Sequence, residues 1–569
     1  MRFAHLECGV GCGRMGLVRS TRNWDKRHFS GCQYDRQKST EQECTLRYKA
    51  AGSYRHKRIT LMADETPNST YRKVGIVGGG TAGYLTALAL KKQIPHLEVT
   101  VVESESIPVI GVGEATTPLI VMFLHRGLGL DAGEFYRVVQ PTWKLGIKFE
   151  WGLPGDYAFH YPFECNDSWN AIQQTGDIRN GCLTSVLMKN DKSHMLRSAG
   201  GSKPTPIHNK TNYAYHLENE CFISYLRGKL KDAGVVRRLG TIEEAKLNED
   251  GTAIDYLVSP ELGNLSFDLY VDCSGFRSAL LEKAMGSKYI SYADSLYTDS
   301  AWTMNQTNNG RPNPYTTAVT MDHGWMWIIP IRTEDHLGYV YSSSFCDDES
   351  ALIEMKKKYP DATNPKLIKF RTGRHEQAIV GNVMSVGNSF GFVEPLESTG
   401  IHMIITTIME FVRNFPKGNN DVASRQMINS TTNATWDNIR WFLGVHFRFN
   451  KRLQTEFWKT CREKVDISGF ETIRQLFYEQ GPFLEHGIDE NPDYRQLARH
   501  TIFPWNAFDL FMLGQGELPH ESAMKMSAKK RVDLANKAVV WDQIQLRALR
   551  QNEALAAIDT WPSLVGSQN

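Results

Sequence analysis

One run constrains the fold of this chain more than any other: KVGIVGGGTAGYLTALALKK, Lys73 to Lys92. Val74 to Val77 read as a short buried strand. Gly78, Gly80 and Gly83 form GxGxxG, and Thr81 to Lys92 carry a helical pattern. The next apolar run, LEVTVVE, ends in Glu103, 20 residues past Gly83. The glycines permit a tight turn and a close backbone approach to a pyrophosphate. The helix N-terminus offers free N–H groups to that anion, and Glu103 can accept from a ribose hydroxyl. An α/β protein opening on a Rossmann-like dinucleotide-binding unit is expected. A glycine-rich turn in an unrelated α/β unit is the alternative.

A nicotinamide-binding domain would continue in regular strand–helix units. Here a second glycine-rich loop follows, IPVIGVGEATTPLI, Ile107 to Ile120. Two later strands, DLYVDCSG from Asp268 and VMSVGNS from Val383, each run into a glycine-containing turn. Distant segments returning to one extended ligand favour FAD and a hydroxylase-type arrangement. Such hydroxylases tend to place Asp after the glycine of the late strand, where this chain has Asn388.

The chain has 569 residues, enough for two or three domains. Its net charge of +2 gives no reason to propose nucleic acid or an anionic membrane as a partner. No run of eighteen apolar residues suggests a membrane helix. Ten cysteines lie scattered without a CxxC pair, which suggests reduced, cytoplasmic usage and no metal site. Residues 1–61 are rich in Arg and Lys and show no hydrophobic periodicity. With the polar lead that follows, 1–72 read as a disordered or non-native leader.

The stretch HGWMWIIP, His323 to Pro330, places Trp325, Trp327 and Ile329 at period two. On a strand they share one face, with Met326 and Ile328 on the other. Taken alone this is a core strand, since Trp and Ile are good strand formers.

Four motifs in order resemble the flavin-dependent halogenases of the tryptophan halogenase family, from about residue 73 to about 520. GGGTAG with IGVGEAT is similar to the family's flavin start. WKLGIKF places Lys144 at the position of its catalytic lysine. GWMWIIP fits the WxWxIP signature, and EPLESTGI carries Glu397 at the position of its catalytic glutamate. The resemblance implies FAD contacts at Gly78, Gly80, Thr81, Ala82, Gly83, Glu103, Val112, Ala115 and Ile401. It implies a halide site at the backbone of Thr399 and Gly400. It also makes the Trp-x-Trp strand, with Ser398, a wall and passage between flavin and substrate.

The implied reaction uses reduced FAD, O2 and chloride or bromide to make hypohalous acid, which crosses to a separate aromatic pocket. Lys144 would meet it there by hydrogen bond or as a haloamine, and Glu397 would orient the electrophile or take the ring proton. A lysine in PTWKLGIKF is otherwise a burial problem or a snorkelling side chain. Lys148 should be dispensable.

On the substrate side the resemblance suggests His160, Phe163 and Trp505. Family members acting on free tryptophan carry a Tyr-Tyr-Glu cluster upstream of that Trp. This chain reads NPDYRQLARH there, so an indole derivative or a larger aromatic is expected. Two further readings stay open: a flavin monooxygenase, and a flavin-binding protein without turnover.

The expected organisation is an FAD-binding module with an antiparallel sheet at 73–410 and a mostly helical substrate-side subdomain at 411–569. Its last amphipathic stretch, AKKRVDLANKAVVWDQIQLRALRQNEALAAI, reads as one helix. No separate NADPH-binding segment is apparent, so reduced flavin would come from a partner reductase. A monomer or homodimer is expected.

Overall fold

The computed structural model describes residues 69–106, 113–163, 182–198, 200, 203–208, 211–480, 502–503, 505–520 and 528–565. The leader expected at 1–72 therefore lies outside the described residues except for its last four. These are packed: Tyr71 is buried and its hydroxyl donates to Asn419 Oδ1 at 2.7 Å. Thr70 N–H bonds the Lys417 carbonyl, so the chain is tied down before the first strand begins.

The glycine-loop unit forms as its pattern predicts. Strand Lys73–Val77 lies between Glu98–Glu103 and Leu269–Asp272 in a six-stranded sheet, parallel to both. Val236–Leu239 extends this sheet on one side and Val383–Ser385 on the other. Helix Thr81–Gln93 covers it, with Tyr84 to Leu90 all buried. Of the two late strands expected to return to the cofactor, Leu269–Asp272 stands beside the first strand and Val383–Ser385 stands next beyond it.

A second sheet has seven strands. At its centre, Gly324–Pro330 pairs antiparallel with Thr316–Met321 and with Glu334–Tyr341. Gly146–Glu150 and Phe159–Pro162 continue it beyond Thr316–Met321. The period-two reading of the Trp strand holds. Trp325, Trp327 and Ile329 join the main core, while Met326 and Ile328 pack into a separate small core with Tyr339 and Met355.

The region after residue 400 is mostly helical. Helix Gly400–Arg413 runs across the expected boundary at 410, so the two regions share an element. The 27-residue helix Val422–Arg448 follows. The last amphipathic stretch is not one helix. Helix Ala528–Arg547 stops, Ala548–Arg550 pairs with Lys192–Leu196, and a new helix runs from Gln551 to Thr560. Ala548 and Leu549 are buried there, and Glu553 Oε2 accepts from Arg550 N–H at 2.8 Å, which caps the new start. Burial and a cap overrode a continuous helical pattern.

Among the described residues no helix is long and apolar enough to cross a membrane, and no three potential ligands gather as a metal site.

Candidate active site

The flavin end is built from backbone. Gly78 has φ +120°, and a Cβ there would sit 2.2 Å from the Cys273 carbonyl oxygen. A Cβ on Gly83 would lie 1.9 Å from the Gly78 carbonyl, so the turn needs both glycines. Thr81 and Ala82 open the helix behind Gly80. Glu103 ends its strand as expected, but the protein already engages both of its oxygens. Tyr84 donates to Oε2 at 2.6 Å and Arg237 bonds Oε1. A ribose hydroxyl would share that carboxylate. Ala115 lies in the short strand Glu114–Ala115, and Val112 lies outside the described residues. A small cleft lined by Gly387, Asn388, Gly391, Gly400, Met403 and Trp436 opens at the late strand's turn. These features fit an FAD.

The EPLESTG turn leads into helix Gly400–Arg413. Ser398 has φ +58°, a left-handed conformation costly for any residue but glycine. That conformation turns the chain into the helix, whose first N–H groups have no partner within it. Thr399 is fully buried and its Oγ1 has no hydrogen-bond partner. Gly400 has open space where a Cβ would be, and Ile401 packs inward. Free N–H groups, a positive helix end and an unsatisfied hydroxyl suit a halide.

Lys144 is fully buried at the end of strand Thr142–Lys144. Its Nζ donates to Ser398 Oγ at 2.6 Å and stands 5.2 Å from the centre of the Phe163 ring. Burial lowers its pKa to about 7, with the charge of Glu397 opposing. Lys148 differs: its side chain is 30% exposed and pairs with Glu150 at 3.1 Å. The snorkelling reading applies to Lys148 and not to Lys144.

Glu397 is 1% exposed, and burial holds its carboxyl above the usual range against the pull of His446 and Lys144. Its Oε1 lies 2.9 Å from His446 Nε2, and His446 Nδ1 lies 2.8 Å from the Phe442 carbonyl. Sequence reading missed His446. It lies 49 residues from Glu397 on a helix where a histidine among VHF reads as packing.

The Trp strand stands beside these groups. Trp325 Nε1 donates to Glu394 Oε2 at 2.9 Å, and the Trp325 and Trp327 rings are 5.9 Å apart. Thr142 Oγ1 donates to the Pro330 carbonyl at 2.6 Å, tying the lysine strand to the end of the wall.

The structure brings Lys144, Glu397, Ser398 and Phe163 together. It places His160 elsewhere. Phe159 and Tyr161 face Phe511, which lies 4.0 Å from His446 by ring centres. His160 alternates to the opposite face, across from Lys148 and near Tyr315. Tyr161, not His160, shares a face with Phe163. Trp505 opens helix Trp505–Gly514, and its side chain lies outside the described residues.

Fold and site together define an FAD-binding-fold enzyme with a buried lysine and carboxyl behind an aromatic strand. The sequence matches the family described as tryptophan halogenase over residues 73–531, and the chain belongs to that family. It is a flavin-dependent halogenase. It is 35% identical over 428 residues to the tryptophan 6-halogenase SttH of Streptomyces toxytricini, covering 69% of this chain and 81% of that protein. The crystal structure of MibH, a lanthipeptide tryptophan 5-halogenase, superposes with TM-score 0.81 at 41% identity, over 88% of this chain and 96% of MibH. BrvH, a flavin-dependent halogenase from Brevundimonas sp. BAL3, superposes with TM-score 0.74 at 30% identity, over 86% of this chain and 99% of BrvH.

Proposed function

We propose that this enzyme chlorinates or brominates an indole carried on a larger molecule, of which tryptophan within a peptide is the leading case. The observation that carries the reaction is the buried constellation of Lys144, Ser398, Glu397 and His446 beside the Trp strand. Two observations support the substrate class. The chain lacks the Tyr-Tyr-Glu cluster that grips a free amino acid, and MibH, whose name records a lanthipeptide tryptophan, is 41% identical.

FAD would be held by the Gly78–Gly83 turn, Glu103, Ala115 and Ile401. Once reduced by a separate reductase, it would activate O2, whose oxidising equivalents convert the halide to hypohalous acid. The backbone of Thr399 and Gly400 would hold the halide. The Trp325–Trp327–Ile329 face keeps the substrate from the flavin, which disfavours direct hydroxylation.

Lys144 then meets hypohalous acid on the substrate side. Its lowered pKa leaves a large share of neutral amine near pH 7, suited to a haloamine. The ammonium form instead donates a hydrogen bond to the hypohalous oxygen. The hydrogen bond raises the electrophilicity of the halogen, whereas the haloamine holds the halogen at a fixed position. Once the ring has taken halogen, its C–H proton passes to Glu397, and His446 holds the other end of that proton's path. Phe163, Tyr161 and Phe511 offer aromatic walls for the indole.

The test is mass spectrometry of incubations with FAD, a flavin reductase, NADH, O2 and chloride or bromide. Free tryptophan runs beside a tryptophan-containing peptide, and wild type beside Lys144→Ala. A halogen isotope pattern on the peptide that the variant loses supports the reading. Halogenation of free tryptophan alone would sink the substrate class. A hydroxylated product would sink the reaction.

A further inference from the structure

Three residues before Glu397 lies a second buried acid that the reaction above does not use. Glu394 is fully buried. Its Oε2 accepts from Trp325 Nε1 at 2.9 Å and from Thr298 Oγ1 at 2.7 Å. Its Oε1 is buried and has no hydrogen-bond partner. A buried carboxyl oxygen left so is costly unless something outside the protein satisfies it.

Pinning an indole N–H does not require a carboxyl, because an amide oxygen would accept equally well. The second oxygen therefore needs its own explanation. Two more buried polar atoms of this region lack partners, Trp327 Nε1 and Thr399 Oγ1. Trp327 shares the wall face with Trp325, and Thr399 starts the helix at the proposed halide site. Glu394 Oε1 is thus an unsatisfied acceptor beside the wall tryptophan that its other oxygen holds, and Trp327 Nε1 and Thr399 Oγ1 are unsatisfied groups on the wall and at the start of the halide helix. A small species that both donates and accepts hydrogen bonds is the chemistry that satisfies them.

We propose that Glu394 is a positioning residue of the wall: Oε2 fixes the Trp325 indole, and Oε1 accepts a hydrogen bond from hypohalous acid, or from the water that precedes it, on the way to Lys144. This rests on the halogenase reading given above. Burial pushes the Glu394 carboxyl up to about 7, so near neutral pH a protonated form is also present. That form still offers the Trp325 N–H an oxygen and can donate from the other. The buried thiol of Cys461 lies within its field, and burial pushes that thiol's pKa up.

Two measurements test this, one without turnover. A crystal structure of the wild-type protein should show an ordered solvent atom within hydrogen-bond distance of Glu394 Oε1. An Oε1 met only by protein atoms, the Cys461 thiol included, would overturn the proposal. The second uses Glu394→Gln, which keeps an acceptor for Trp325 and puts a donor in place of the free acceptor. Flavin binding and the melting temperature should stay near wild type. Halogenated product per flavin oxidised should fall about tenfold, with the missing oxidising equivalents recovered as free hypohalous acid by a soluble trap. Unchanged coupling in Glu394→Gln would overturn the proposal. If Glu394→Gln does not fold, Thr298→Val, which removes one donor to Oε2 from outside the passage, should show a smaller fall in coupling, and unchanged coupling there counts against the proposal. Wild type without halogenated product would instead overturn the halogenase reading itself.

Discussion

His446 Nε2 and Glu397 Oε1 stand at hydrogen-bond distance, 2.9 Å apart, with both side chains buried. The Phe442 carbonyl can only accept, so His446 Nδ1 carries a hydrogen toward it at 2.8 Å. A neutral imidazole then has no proton left on Nε2, and the bond to Glu397 Oε1 must be made by the carboxyl's own proton. The other state is an imidazolium donating to a carboxylate. Both groups are buried, so the two states interconvert by moving one proton along one short bond.

This arrangement predicts a specific defect for His446→Gln. Glutamine can still donate an N–H to Glu397 but cannot take a proton from it. Halogenation should fall by about 10²- to 10⁴-fold, the usual range for a lost acid–base group. Flavin affinity should not change. A kcat equal to wild type, measured by product formation under saturating substrate, would remove His446 from the proton path.

Lys144 links stability to pH with a definite sign. Its pKa is about 7 when folded and near the ordinary lysine value of about 10.4 when unfolded. Between these values the unfolded state binds the extra proton, so this group's contribution to stability rises with pH. Lys144→Met should therefore gain stability over wild type most below pH 7, by of order a few kcal/mol. The gain should shrink toward pH 10. Urea unfolding of both proteins at pH 6 and pH 9.5 checks the trend, and an equal difference at both would refute it. The same variant should make no halogenated product, whereas Lys148→Met should behave as wild type.

Much of this site was legible before the structure. The strand–glycine loop–helix unit was visible because its turn needs glycines at fixed spacing. The Trp strand was visible because alternation of large residues has one meaning on a pleated sheet. Lys144 and Glu397 stood out only through their motifs. The rest depended on distant pairing that no local pattern carries. His446 and Phe511 come from separate helices. Tyr161 replaces His160 because the strand's pairing with Gly146–Glu150 sets which residues face inward. One available signal went unread: Glu394 sits in an apolar run, and a buried acid there requires partners.

Ser398 couples local backbone to chemistry, and Ser398→Gly separates the two. Glycine relieves the left-handed backbone, worth about 1 kcal/mol, but adds a similar entropy cost through the unfolded chain. Stability should stay within about 1 kcal/mol of wild type. The hydroxyl that accepts from Lys144 Nζ at 2.6 Å is lost, so the amine loses its aim and halogenation should drop severalfold. A fully active, equally stable Ser398→Gly would show that the Ser398 hydroxyl does not position Lys144.

The wall itself depends on a glycine across the sheet. Trp327 pairs with Gly338, and the indole lies against that backbone so closely that an added Cβ would sit 1.8 Å from Trp327 Cζ2. Neither group can yield cheaply: the strand is held by ladder bonds on both sides, and the ring is 7% exposed and packed against Trp325. Gly338→Ala should cost about 1–3 kcal/mol, as overpacked cores do. Because the ring must tilt, the barrier between flavin and substrate should also leak. Product per flavin oxidised should fall more than flavin binding does. Chemical unfolding gives the first quantity and a coupled product assay the second. A stable variant with wild-type coupling would mean that the indole of Trp327 has room to move and does not seal the wall.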